Sequence, residues 1–250
     1  MKFLRTLLAA LALCSIATAA KAVPTIEIGP GTLPVGGYVS LTAFDLVPVA
    51  IGDNEYVNYN IPDFMYAGQT WTRIGVMRNG YIVVGGASDS DVEAGNSSLP
   101  DPTAPKNILA PFWIDLTDIE TLTLYAAAVS TSTEWWIVVE WQVKHPGIDD
   151  LNIFQVWIGY YSPEDITFVY GEVTQPPSGH VTIGANDVSG LIGATYYFNG
   201  AGTLPTARTA LHVTTRDLPF TQVAVPEPGT IALLGAGLLG LAGLRRTRRQ

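Results

Sequence analysis

Between residues 23 and 224, apolar residues come in short runs broken by turn formers, and no helical stripe exceeds two turns. The runs pair into hairpins. Residues 73–77 and 81–84 flank Arg78-Asn79-Gly80, and Asn-Gly between apolar runs is a strong hairpin signal because both residues tolerate positive φ. Residues 121–129 and 135–143 flank a Ser/Thr turn at 130–133, residues 151–161 and 166–170 flank Ser162-Pro163-Glu164-Asp165, and residues 181–185 and 191–198 flank a loop at 186–190. The runs 38–44, 46–51 and 209–214 are candidates for further edge strands. In the third hairpin Phe154, Val156, Ile158 and Tyr160 alternate with other residues, and Ile166, Phe168 and Tyr170 alternate on the partner. Aromatic and β-branched residues confined to one face are what half of a sandwich needs. The pattern predicts an all-β fold, an antiparallel β-sandwich of about ten strands. No internal repeat of about 20–50 residues is visible, which argues against a propeller or solenoid.

The two ends differ from this middle. Lys2 and Arg5 precede an apolar run at 7–13, and Ala20-Lys21-Ala22 gives a small-x-small cleavage pattern. Residues 1–22 therefore read as a secretory signal peptide, a short helix removed between Ala22 and Val23. Cleavage after Ala17-Thr18-Ala19 is the competing site. A lipoprotein reading through Cys14 is disfavoured because Leu13, just before it, is not small. At the other end Pro226-Glu227-Pro228 leads into an apolar run, and Arg245, Arg246, Arg248 and Arg249 follow. As one transmembrane helix, 229–244 would span about 24 Å, slightly short of a ~30 Å hydrocarbon core. The arginines act as a cytoplasmic stop by the positive-inside rule, leaving the domain 23–224 outside. Taken alone, the run is a single-pass anchor, with Gly235, Gly237, Gly240 and Gly243 available as a close-packing face.

Pro226-Glu227-Pro228, the short Gly/Ala/Leu helix and the terminal arginines together resemble the PEP-CTERM sorting signal of Gram-negative bacteria. The resemblance covers residues 225–249, within a signal spanning 225–250. It implies an exosortase and the secretion machinery as partners, and membrane contact through the helix before processing. It also implies a route through the inner membrane to the cell surface or an exopolysaccharide (biofilm) matrix. The motif speaks to destination and is silent on activity.

A second resemblance runs through the middle. Asn79-Gly80 with the strand after it, Leu99-Pro100-Asp101, and Ala110-Pro111-Phe112-Trp113-Ile114-Asp115 fall in a recognisable order. Residues 137–141, 154–158 and Ile183-Gly184-Ala185-Asn186 complete it. This order is similar to an accessory β-domain found beside exported subtilisin-like proteases, and more distantly to nidogen-like extracellular domains. It covers about residues 70–200 and implies an extracellular, non-catalytic module, expected here without the protease.

Charge sharpens the picture. Three of the 13 basic residues fall within 1–22 and four within 229–250, so six remain against all 22 acids and the interior carries −16. Such a surface does not suit nucleic acid, which is bound by clustered Lys and Arg. The one cysteine, Cys14, lies in the signal peptide, so a disulfide scaffold and cysteine-ligated metals are excluded for the domain.

Candidate chemistry is sparse. His145, His180 and His212 lie at expected strand ends or turns, with no Gly-x-Ser-x-Gly elbow and no His-Glu-x-x-His. Glu140 sits within a strand but has no second acid in register, and strand alternation favours a solvent-facing carboxylate over half of a glycosidase pair. The protein is accordingly expected not to be an enzyme and to need no cofactor. Calcium is the better metal candidate, because it takes oxygen ligands from loops. Asp89, Asp91 and Glu93 alternate within a Gly/Ser/Asn-rich loop, with Asp115, Asp118 and Glu120, and Asp149-Asp150, as weaker clusters. Solvated loop acids are the plainer explanation. Six tryptophans offer a carbohydrate-binding alternative through stacking on sugar rings. Trp135, Trp136 and Trp141 are the candidate ligand contacts, and Trp113 is expected in the core. Adjacent Trp135 and Trp136 must point to opposite faces of a regular strand, so one of them is a candidate for exposure.

Overall fold

Two sheets bury the alternating apolar positions against each other. A computed structural model describes residues 23–218 apart from 35–36, 94, 104, 116–120, 145–148, 150, 162 and 177–178. The signal peptide, the sorting signal 225–250 with its helix, and His145, Asp118, Glu120 and Asp150 lie outside the described residues. Among the described residues no helix is long and apolar enough to cross a membrane.

The six-stranded sheet runs in the order β1 (Val23–Gly31), β13 (Thr209–Leu218), β9 (Ile166–Tyr170), β8 (Leu151–Gly159), β7 (Trp135–Lys144) and β6 (Thr121–Ser130). The seven-stranded sheet runs β12 (Ala201–Gly202), β11 (Gly193–Phe198), β10 (Thr182–Asn186), β5 (Ile108–Trp113), β4 (Tyr81–Val84), β3 (Gln69–Met77) and β2 (Tyr56–Tyr66). All four expected hairpins form, with Met77 opposite Tyr81, Ser130 opposite Trp135, Ile158 opposite Ile166 and Asn186 opposite Gly193. In the first turn the positive φ falls on Gly80, at 80°. A Cβ there would lie 2.1 Å from the Phe112 carbonyl oxygen, so conformation and close approach both require glycine.

Thirteen strands form among the described residues, and two of the three candidate edge strands do not. Residues 41–44 form a 3₁₀ turn whose N-cap Ser40 accepts from the Thr42 amide at 3.4 Å, and Asp45 ends it at φ 52°. Residues 46–51 belong to neither sheet. Local side-chain capping competes with a ladder here, and Pro48 has no N–H to give one. The strands that sequence patterning passed over include three that carry proline, β1, β2 and β5. Pro62 lies where the β2–β3 register shifts between Asn60 and Phe64, on an edge strand. Pro111 lies between the Ala110 and Trp113 pairings, where the β5–β10 register is broken. Proline is tolerated at such edges and bulges because no ladder donor is needed there.

The inner faces interlock through aromatic rings. Phe112 of β5 packs on Phe154 of β8 at 5.1 Å, and Trp141 of β7 stacks on Phe154 at 5.4 Å and 16°. Trp141 Nε1 donates to the Met77 carbonyl at 3.0 Å, and the Tyr170 hydroxyl donates to that of Pro111 at 2.9 Å. Both bonds cross from one sheet to the other and satisfy polar groups inside the core. Each large side chain buried in this way contributes roughly 1.5–3 kcal/mol. The third hairpin places Phe154, Val156, Ile158, Ile166, Phe168 and Tyr170 in this one core, as the alternation predicts, with Tyr160 half-buried against it.

Candidate functional site

The β7–β8 ladder closes at Trp136 opposite Gly159, and one step beyond it the Tyr160 amide donates to the Trp135 carbonyl at 3.1 Å. Alternation then separates the two tryptophans. Trp136 turns to the outer face, 4% exposed, edge-on to Trp157 at 5.6 Å, with Nε1 donating to Asp165 Oδ2 at 3.3 Å. Trp135 turns the other way at the sheet end and stays 42% exposed. Beside it Tyr161 is 73% exposed, its ring 6.4 Å from that of Trp135 at 77° and 4.9 Å from that of Tyr160 at 72°. Tyr161 has φ 62°, a left-handed conformation that bulky side chains rarely adopt.

These rings border a cavity of about 120 Å³, completed by Thr133, Glu134, Gly159 and Asp165. A cleft of about 240 Å³ on the outer face shares Glu134, Trp136 and Asp165 and reaches Thr167 and His212. Both are smaller than the ~300 Å³ at which deep small-molecule pockets begin, so the pair forms a surface groove. Gly159 lets Asp165 approach: a Cβ there would meet Asp165 Oδ2 at 2.8 Å.

Of the three tryptophans expected to touch a ligand, only Trp135 offers an exposed face. Trp141 is fully buried because odd-numbered positions of β7 face the core, and Trp136 supplies floor beneath the groove. Trp113 is a core residue, as expected, 5.0 Å from Tyr81. Tyr160, Tyr161, Glu134 and Asp165 were missed, since they lie at strand ends and turns. The register of β7 with β8 would have revealed them, because it sets Tyr160 beside Trp135.

Glu140 overturns its expectation. It sits on the outer face of β7 but is fully buried under the segment 38–46. Ser40 Oγ donates to its Oε1 at 3.1 Å, the Leu41 amide to Oε2 at 3.1 Å, and Gln142 Nε2 to Oε1 at 2.6 Å. Gln155 Nε2 also donates to it, and Trp157 Nε1 donates to Gln155 Oε1 at 2.7 Å. A buried carboxylate without a cation needs several such donors. Tyr38 shares this layer; burial first, and the Glu140 charge second, push its phenol up to about 12. The carboxylate is a fastener, closed to substrate.

The proposed calcium ligands are likewise dispersed. Asp89 Oδ1 accepts from the Tyr56 hydroxyl at 3.2 Å, and Asp91 Oδ2 accepts from the Ser88 amide and hydroxyl at 2.9 and 2.6 Å. Tyr81 ties the loop down, donating to the Asp91 carbonyl at 2.6 Å and accepting from the Glu93 amide at 3.1 Å. No group of three acid, His or Cys side chains suited to a metal ion occurs among the described residues. His212 lies inside β13 rather than at a strand end, its Nδ1 3.2 Å from Thr167 Oγ1.

A family model described as NIDO related matches residues 35–230, well over half of the chain. The chain belongs to the NIDO-related family. The NIDO-related match takes in both the Glu140 fastener and the aromatic groove, while β1 lies ahead of it. The nidogen-like resemblance is thereby established, and the likeness to a protease accessory domain finds no counterpart in the matches. A PEP-CTERM protein-sorting motif matches residues 224–249. The NIDO-related domain is therefore exported and sorted toward the cell surface, with an exosortase as processing partner. No curated protein and no solved structure matches the chain.

Proposed function

We propose that this protein is a non-catalytic interaction module of the cell surface or exopolysaccharide matrix, and that it holds extracellular polysaccharide at the edge formed by Trp135, Tyr160 and Tyr161. The observation that carries the reading is the outward placement of Trp135 and Tyr161 side by side. Trp113, Trp136, Trp141 and Trp157 are all buried, so an exposed tryptophan beside an exposed tyrosine is a departure from how this chain uses its rings. Amphipathic rings with one polar tip suit a partner presenting both C–H faces and hydroxyls, as a sugar does. Glu134 and Asp165 beside them supply hydrogen-bond acceptors for those hydroxyls. Sorting toward the cell surface is compatible with an extracellular polymer as partner. The buried state of Glu140 favours binding over hydrolysis, because the acid considered as half of a glycosidase pair is out of substrate reach.

The test is retention of the full chain, in detergent, on a panel of immobilised polysaccharides. The wild type is expected on at least one of them, with Trp135→Ala and Tyr161→Ala each reducing retention about tenfold. No retention across the panel, or retention unaffected by either change, would contradict the reading.

A further inference from the structure

We propose that the groove beside Trp135 takes a positively charged group, the ammonium of an amino-sugar unit in an extracellular polysaccharide. This rests on the polysaccharide reading above and goes further by naming the sugar class. Glu134 and Asp165 line both the 120 Å³ cavity and the adjoining cleft; no lysine or arginine lines either, and the basic side chain His212 lines the cleft but not the cavity beside Trp135. Neither carboxylate is ion-paired with a described residue. Asp165 gives Oδ2 to the Trp136 indole and keeps Oδ1 for a ligand. The three rings are not coplanar: Tyr161 stands at 77° to Trp135 and 72° to Tyr160. A flat row of rings suits the face of a neutral sugar, whereas rings set at right angles border a corner in which a cation meets the negative π-face and the acids together.

The wider field points the same way. An interior carrying −16 repels polymers of acidic sugars and attracts cationic ones. At physiological salt this attraction is screened beyond about 8 Å, so the acids at the groove set the local preference.

The experiment compares soluble glucosamine oligosaccharides in N-acetylated and de-N-acetylated forms, binding to the full chain in detergent at a mildly acidic pH where the amine is charged. The de-N-acetylated form is expected to bind at least about tenfold tighter, and its binding to weaken as salt is raised. Glu134→Gln and Asp165→Asn should each remove most of that preference while leaving the circular dichroism spectrum unchanged. Asparagine keeps an acceptor for the Trp136 indole, so the second variant separates charge from folding. Equal affinity for the two forms would overturn the ammonium assignment and leave the polysaccharide reading standing. Loss of both, with no other glycan retained, would remove both. A lysine oligopeptide bound as tightly as the amino sugar would overturn the sugar and mark the groove as a site for basic peptides.

Discussion

The Glu140 carboxylate accepts a hydrogen bond from the Leu41 amide at 3.1 Å, joining β7 to a segment 99 residues earlier in the chain. That bond is one of four from neutral donors; the two from Ser40 and Leu41, with Gln155 Nε2 donating to the Val39 carbonyl at 2.8 Å, fix the segment 38–46 over Trp136, Val138 and Trp157. Glu140→Ala would strand Ser40, the Leu41 amide, Gln142 and Gln155 without their acceptor. Leaving such groups unsatisfied costs about 1–3 kcal/mol each when buried. We expect a loss of at least ~3 kcal/mol in urea unfolding, with Glu140→Gln intermediate because its amide turns a donor toward donors.

Gly80 seats the turn of the first hairpin against β5 of the same sheet. Gly80→Ala would put a methyl group in the left-handed region and against the Phe112 carbonyl. The conformational term alone is about 1–2 kcal/mol, and the clash adds to it. The expected outcome is a clearly lowered midpoint in thermal unfolding, whereas Gly29→Ala, with nothing within 4 Å, should stay near wild type.

A half-buried carboxyl and three phenols withdrawn from water set the pH response. Burial raises the Glu164 carboxyl above its ordinary 4.5, although the Thr215 hydroxyl and amide, at 2.6 and 2.9 Å from Oε1, and His212 pull it down. Its contribution is therefore complete below the ordinary value and is lost as pH rises through the folded one. Glu164→Gln keeps an acceptor for Thr215, so its stability relative to wild type should increase from acid to neutral pH in paired urea titrations. At the alkaline end Tyr38 titrates near 12, and the fully buried Tyr66 and Tyr170 are held well above 10 by desolvation. Stability should fall as pH rises above 10, and phenolate absorbance of these residues should appear together with unfolding.

How far the chain announced this structure depends on the kind of signal. Alternation in 154–160 and 166–170 and the Asn79-Gly80 turn act locally, and each placed its strands correctly. Pro62 and Pro111 hid β2 and β5, because tolerance of proline depends on an edge or a bulge that only the neighbouring strand creates. Strand parity separated Trp135 from Trp136 but could not say which face a covering segment would occlude. That decision belongs to residues 38–46, whose attachment to Glu140 and Gln155 is long-range. Tyr161 became visible only through the β7–β8 pairing.

Sorting is tested apart from the domain. Replacing Pro226-Glu227-Pro228 by alanines should leave export intact and cause an unprocessed form to accumulate in the membrane fraction. Immunoblotting of fractionated cells reads this directly, and identical processing with and without the change would speak against exosortase recognition.

The most direct measurement is the distribution of a Trp135→Ala, Tyr161→Ala double variant between exopolysaccharide matrix and medium in cells that process it. Both side chains are exposed, so the fold and the tail processing should match wild type. The account predicts a processed protein released into the medium; a processed double variant held in the matrix as firmly as wild type would contradict it.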